Sequence, residues 1–147
     1  MKLFKRLRER YAKYKYINKL INGDQVDRVK AARLGYGLDI LITDPNSEVR
    51  INVARRGYGL KKLVNDPDIH VRRVVAEHGY GLNKLINDCN WMVRQAVARQ
   101  GYGLDILIND PDEQVRVAVA QWGYGLDTLI NDSSSYVRNA VKERMSR

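Results

Sequence analysis

Gly101 opens the stretch GYGLDILINDPDEQVRVAVAQW, which closes at Trp122 and holds the pattern that decides the fold. Its first half sets Leu104, Leu107 and Ile108 at i, i+3 and i+4, the apolar face of a helix two turns long at most, α or 3₁₀. Asn109 follows, a residue type that tolerates a left-handed terminus, and then Asp110, which predicts the N-cap of a second helix. Pro111 comes next, suited to a first helical position because its missing N–H would go unsatisfied there anyway. The second helix is predicted to run about 12 residues, with Val115 and Val119 on one stripe beside the small Ala120, which lets a neighbour approach closely. The next glycine stops that helix, and the one after it lets the chain turn into another short helix.

The tripeptide Gly-Tyr-Gly recurs at Gly35, Gly57, Gly79, Gly101 and Gly123, always 22 residues apart, and uses ten of the eleven glycines. The unit reads G-Y-G-L-x-x-L-I-N-D-P-x-x-x-V-R-x-x-V-A-x-x, and its positions are numbered here from the first glycine. All three prolines, Pro45, Pro67 and Pro111, follow the position-10 Asp. One unit cannot bury its own stripe, but stacked units can, so the period predicts an all-α solenoid in which a long α-helix alternates with a short one. Residues 20–34 form a degraded capping repeat, with Asp27 in the usual Val place and Arg28 at the usual Arg place; 35–132 are the solenoid repeats, 133–147 a C-terminal capping helix in which Lys142 replaces Ala, and 1–19 a basic amphipathic helix.

Arg50, Arg72, Arg94, Arg116 and Arg138 stand six residues after each Asp and directly after the first Val. In this the chain resembles the HEAT-type helical repeats, and in its short period and its D-P-x-x-x-V-R-x-x-V-A run it resembles the leucine-rich repeat variant family still more. The resemblance covers residues 35 to 144. It implies a right-handed α-solenoid and an Asp–Arg ladder between neighbouring units, and it implies a scaffold with no single function, because such repeats serve many. Gly-Tyr-Gly stands where the family usually has a proline-containing corner, and the cysteine cluster of some members is missing.

Composition narrows the function. With 44% hydrophobic residues in 147, the chain has no apolar run near the membrane-spanning length of about 18 to 20 residues. Cys89 is the one cysteine and His70 and His78 the two histidines, which excludes an internal disulfide and a cysteine-rich metal centre. No signal-peptide core interrupts the charges of the first residues, so a cytoplasmic, reducing setting is expected. No cofactor is expected, and no catalytic constellation emerges: His70 and His78 are eight apart without a metal-ligand neighbour, and Cys89 has no nearby histidine to act as its base. DNA-repair enzymes built on HEAT-like scaffolds have a continuous basic groove that this chain lacks. Residues 1–33 hold 11 of the 26 Lys and Arg and 3 of the 17 Asp and Glu, a balance of +8, whereas the remaining residues balance at +1.

Three candidate surfaces remain. Positions 12 to 14, 17 and 21 vary freely among copies and put Ile69, His70, Trp91, Met92 and Tyr136 on a face that solvent should see, a set of side chains suited to anchoring a protein partner. The bland alternative is that Trp91 folds back over the neighbouring helix start. The corner tyrosines Tyr36, Tyr58, Tyr80, Tyr102 and Tyr124 could stack bases, but glycines rather than cations flank them, which favours packing on the next corner. The first helix carries Leu3, Phe4, Leu7, Tyr11 and Tyr14 at helical spacing opposite Lys2, Lys5, Arg6, Arg8, Arg10 and Lys13, with Lys15 and Lys19 as further candidate cations. Its apolar side is expected to cap the first repeat, with docking on nucleic acid, an anionic membrane or an acidic groove as a further use. The overall expectation is a non-catalytic scaffold that binds another macromolecule, a protein first and nucleic acid second.

Overall fold

A computed structural model describes residues 2–146, with the backbone alone for Lys2, Leu3 and Lys5. Every element among them is helical: α1 (Lys2–Ile21), α2 (Gln25–Leu34), α3 (Leu38–Leu41), α4 (Ser47–Arg55), α5 (Leu60–Leu63), α6 (Ile69–Glu77), α7 (Leu82–Leu85), α8 (Trp91–Arg99), α9 (Leu104–Leu107), α10 (Glu113–Trp122), α11 (Leu126–Leu129) and α12 (Ser135–Met145). The chain divides into two compact units, one ending at Leu63 and one beginning at Val64. In the first, α1 packs on α2 and α2 on α4; in the second, α6, α8, α10 and α12 pack one on the next in chain order. Within each unit this is solenoid-like packing, long helix on long helix, with a short helix joining successive long helices from α2 onward.

Burial explains the repeat pattern. Position 7 of the short helix (Leu41, Leu63, Leu85, Leu107, Leu129) and positions 15 and 19 of the long helix lose nearly all their solvent contact, as does the position-20 Ala in the four copies that have one, as at Val93, Val97 and Ala98 of α8. Each buried Leu or Val contributes roughly 1.5–3 kcal/mol relative to exposure, so a copy of the unit draws most of its stability from four side chains that only a neighbour can cover.

The short helices are α at their start and tighter at their end. Leu107 N–H donates to Gly103 O at 2.9 Å, an i−4 bond, while Asn109 and Asp110 N–H donate back to Ile106 and Leu107 at 3.2 and 3.1 Å, i−3 bonds. No non-glycine residue among those described has positive φ, so the position-9 Thr or Asn is right-handed, contrary to the left-handed terminus expected of it. The tightened last turn already satisfies the carbonyls that such a terminus would have served.

The long helices begin two residues later than the pattern predicts. Their N-caps are Asn46, Asp68, Asn90, Asp112 and Ser134 at position 12, each side chain accepting a backbone N–H two residues on, as from Gln114 N to Asp112 at 2.8 Å. The helices accordingly span 9 to 11 residues, and each proline precedes the cap instead of occupying the first helical position. Asp110 instead accepts the Asp112 N–H at 2.9 Å, closing a side-chain turn ahead of the cap. Helices α2, α4, α6 and α10 end in a Schellman motif, as where Gly123 N–H donates to Ala120 O at 2.9 Å and Tyr124 N–H to Val119 O at 3.3 Å, with Gly123 left-handed at φ 99.

The degraded repeat has no short helix of its own. α1 runs through to Ile21, past the expected end at residue 19, and α2 starts after its own N-cap Asp24, which accepts the Asp27 N–H at 2.9 Å. The expected capping arrangement is also overturned. Phe4, Leu7, Tyr11 and Tyr14 are exposed, and the α1 residues that bury themselves are Leu20 and Ile21.

Candidate functional site

Within each unit, position-16 arginines connect one copy to the next. Arg94 Nε donates to Asp110 Oδ2 at 2.7 Å and its Nη2 to Oδ1 at 2.8 Å, a two-pronged pair, while Nη1 donates to the carbonyls of Asp88 and Cys89 at 2.8 and 3.3 Å. The planar guanidinium thereby joins the start of its own long helix to the carboxylate of the following copy. Arg72–Asp88 and Arg116–Asp132 repeat this geometry, and Arg28 of the degraded repeat reaches Asp44 at 2.6 Å. The ladder resides at the helix starts, and its donors and acceptors are used up in structure.

Electrostatics follow from that geometry. The Arg116 hydrogen bond holds the Asp132 carboxyl below the usual carboxylate range against an opposing push from burial, with the Ser134 N–H assisting. At Asp88 burial pushes upward, and the hydrogen bonds from Arg72 and the Asn90 N–H outweigh it, so this carboxyl too is lowered. Hydrogen bonds to their Asp partners raise Arg72, Arg94 and Arg116 above an already high value. A depressed carboxyl stabilises the fold fully above its unfolded pKa of about 3.9, and that stability is lost as pH falls through the folded value. Thermal melts followed by circular dichroism are therefore expected to be flat from about pH 7 to pH 5 and to fall below about pH 4. A melting temperature unchanged between pH 5 and pH 3 would show that the ladder carboxylates contribute nothing.

Beyond the core and the ladder, each long helix presents a ridge at positions 14, 17 and 21, spaced i, i+3 and i+7 along one side. Here the copies diverge. On α6 the ridge carries exposed His70, then Arg73 paired to Glu77 at 3.6 Å; on α8 it carries half-buried Met92 and Gln95; on α12 it begins with Tyr136, which is 65% exposed. Neighbouring ridges touch: Gln95 Nε2 donates to Gln114 O at 3.1 Å, from α8 to α10. Position 13 lies beside this row and holds Ile69 and Trp91, both half-buried.

The structure thus places the five residues singled out on the sequence at the starts of three long helices of the second unit, α6, α8 and α12. It exposes His70 and Tyr136 and half-covers Ile69, Trp91 and Met92. A solvent-facing surface was expected, with Trp91 folding back over the neighbouring helix start as the alternative.

The remaining candidates are apart from this ridge. Arg6, Arg8, Arg10, Lys13, Lys15 and Lys19 are exposed along α1, and the side chains of Lys2 and Lys5 lie outside the described residues. Tyr58, Tyr80, Tyr102 and Tyr124 are each about two-fifths exposed at their corners. The corner contact that the structure displays comes from position 22, where the Trp122 ring covers Gly101. His70 and His78 fall at opposite ends of α6, and Cys89 is a free, exposed thiol with Sγ 3.8 Å from Asp88 Oδ1. Among the described residues no three His, Cys, Asp or Glu side chains gather as metal ligands.

Sequence reasoning missed the exposed Ile40 and Ile106, 59% and 60% exposed on α3 and α9. The available signal was position 6, which falls off the apolar side set by Leu at positions 4 and 7. No family model matches the chain, and no curated protein is similar to it.

Proposed function

We propose that the chain is a non-catalytic repeat scaffold, of the HEAT-like or leucine-rich-repeat-variant kind, that works in the cytoplasm and binds another protein through the long-helix ridge around Ile69, His70, Trp91, Met92 and Tyr136. The observation that carries this reading is the partition of the repeat. All five copies carry the same residue at the buried positions 7, 15 and 19 and at the ladder positions 10 and 16, and differ along the ridge. Exposure alone would allow that divergence, but it does not favour the side chains present. A ring 65% exposed on α12 and a half-buried thioether on α8 offer apolar contact area, which suits a protein surface.

A photo-crosslinking residue placed at Tyr136, with exposed Asn109 in the turn after α9 as the control position, tests the face. Adducts of one defined protein are expected from position 136 and not from 109. In the same assay Trp91→Ala with Met92→Ala is expected to weaken that partner at least about tenfold, roughly 1.4 kcal/mol. Equal adducts from both positions, or unchanged affinity in the double variant, would overturn the ridge as the binding face.

A further inference from the structure

The first helix has two sides, and the structure uses the unexpected one for folding. Leu20 is buried, Ile17 is half-buried, and the Tyr16 ring receives the Lys30 ammonium 5.8 Å from its centroid, so α1 leans on α2 through residues 16, 17 and 20. By helical arithmetic these residues point away from the side that carries residues 4, 7, 11 and 14. That side holds Phe4, Leu7, Tyr11 and Tyr14, which are 72%, 50%, 69% and 62% exposed. It is a continuous apolar and aromatic stripe over three turns, and nothing in its own unit covers it. Between Lys2 and Lys19 there are eight Lys and Arg against Glu9 alone.

The flanking charges decide what fits the stripe. The 3-4-3 spacing would also suit pairing with a second copy, but Arg8, Arg10 and Lys15 border the stripe and would set like charges along the seam. A nucleic-acid backbone would take the Lys and Arg and leave the stripe in water. An acidic helix would meet the bordering residues only, and Arg6 and Lys13 lie beyond that border. An extended anionic surface with an apolar interior engages every part. Aromatic rings and Leu settle at the headgroup–acyl boundary, Arg8, Arg10 and Lys15 extend to headgroup phosphates, and Arg6 and Lys13 remain within about a Debye length, 8–10 Å, of the surface potential. Among the described residues no helix is long and apolar enough to cross a membrane, so α1 would lie on the bilayer and not through it.

We propose that α1 lays this chain on an anionic lipid surface, with Phe4, Leu7, Tyr11 and Tyr14 inserted at the headgroup–acyl boundary and the basic residues held against the headgroups. This is independent of the protein-binding ridge, whose failure would leave it standing.

The test is co-sedimentation of the full chain with phosphatidylcholine vesicles, with and without about one-third phosphatidylserine. Sedimentation is expected with the anionic vesicles only, weakening as salt rises. Leu7→Asp with Tyr11→Asp, and separately Arg8→Glu with Lys15→Glu, are expected to reduce partitioning at least tenfold. Because these side chains are exposed, helicity and melting temperature should match the parent chain, which separates lost binding from lost folding. No sedimentation with anionic vesicles, or equal sedimentation with neutral ones, would overturn the proposal. It would also be overturned if single-stranded RNA or duplex DNA stripped the chain from vesicles and bound the Leu7→Asp/Tyr11→Asp variant as tightly as the parent, since that surface would then read phosphates alone.

Discussion

Arg94→Ala is expected to lower the melting temperature by on the order of 10 °C, corresponding to roughly 3 kcal/mol. The loss has three parts, all visible at one guanidinium. The Asp110 carboxylate, whose side chain is 3% exposed, keeps the Asp112 N–H at 2.9 Å but loses both prongs of Arg94. The Asp88 and Cys89 carbonyls lose the donor that closes the start of α8, and the attachment of one copy to the next is cut at its most polar point. Stranding a desolvated carboxylate accounts for most of the cost. Arg94→Lys should recover less than half of it, because an ammonium keeps the charge but cannot reproduce the planar fork. The pair Arg94→Ala and Asp110→Ala should be milder than Arg94→Ala alone, since no charge is then left behind. An unchanged melting temperature in Arg94→Ala would remove the ladder from the account of stability.

The second large effect lies at a corner. Gly103 has φ +61, and an added Cβ would fall on Ile86 Cδ1, the position-8 side chain of the preceding copy. Gly103→Ala therefore combines left-handed strain of about 1 kcal/mol with overpacking of about 1–3 kcal/mol. Gly79 separates the two terms. It is equally left-handed at φ +70, but the nearest atom to its added Cβ is Gln100 Oε1 at 3.9 Å, so Gly79→Ala should cost only the strain, about 1 kcal/mol. The clash itself is testable by a double-mutant cycle. Ile86→Ala removes the colliding atoms, so Gly103→Ala with Ile86→Ala should be less destabilised than the sum of the single changes by at least about 1 kcal/mol. Additive behaviour, or equal costs at Gly79 and Gly103, would show that the second glycine serves backbone conformation alone.

That corner also shows how unevenly the structure could be read in advance. Glycine at a helix end points to a left-handed residue from local sterics, and the Schellman bonds at Gly123 and Tyr124 agree. At the third residue the left-handed φ is again a local reason for glycine, but the collision is not, because Ile86 belongs to another copy. The cap position follows the same division. Both Asp110 and Asp112 are good N-cap residues, and a window of sequence favours the invariant one. Asp110 pairs with Arg94, 16 residues upstream, and accepts the Asp112 N–H ahead of the helix, and the cap falls at position 12, where the residue type changes among Asn, Asp and Ser.

The candidate surfaces divide likewise. Periodicity located the long-helix ridge, since a side chain off the Val stripe must face outward. It could not show that Trp91 and Met92 are half-covered at the helix start while Tyr136 is open, because coverage depends on where the adjacent turn sits. At α1 the same rule misled. An apolar stripe at helical spacing was expected against the first repeat, yet the contact with α2 runs through Tyr16, Ile17 and Leu20.

The amino-acid sequence by itself determined the helical class, the 22-residue period, the buried Leu and Val rows and the left-handed corners, because each depends on chain-local sterics or on the 3.6-residue turn. Tertiary structure alone decided which Asp caps and which bridges, which glycine has no room for a methyl group, and which side of the first helix packs. Those outcomes turn on atoms that meet across 16 or more residues of chain, or on the competition of two faces of one helix for a single neighbour.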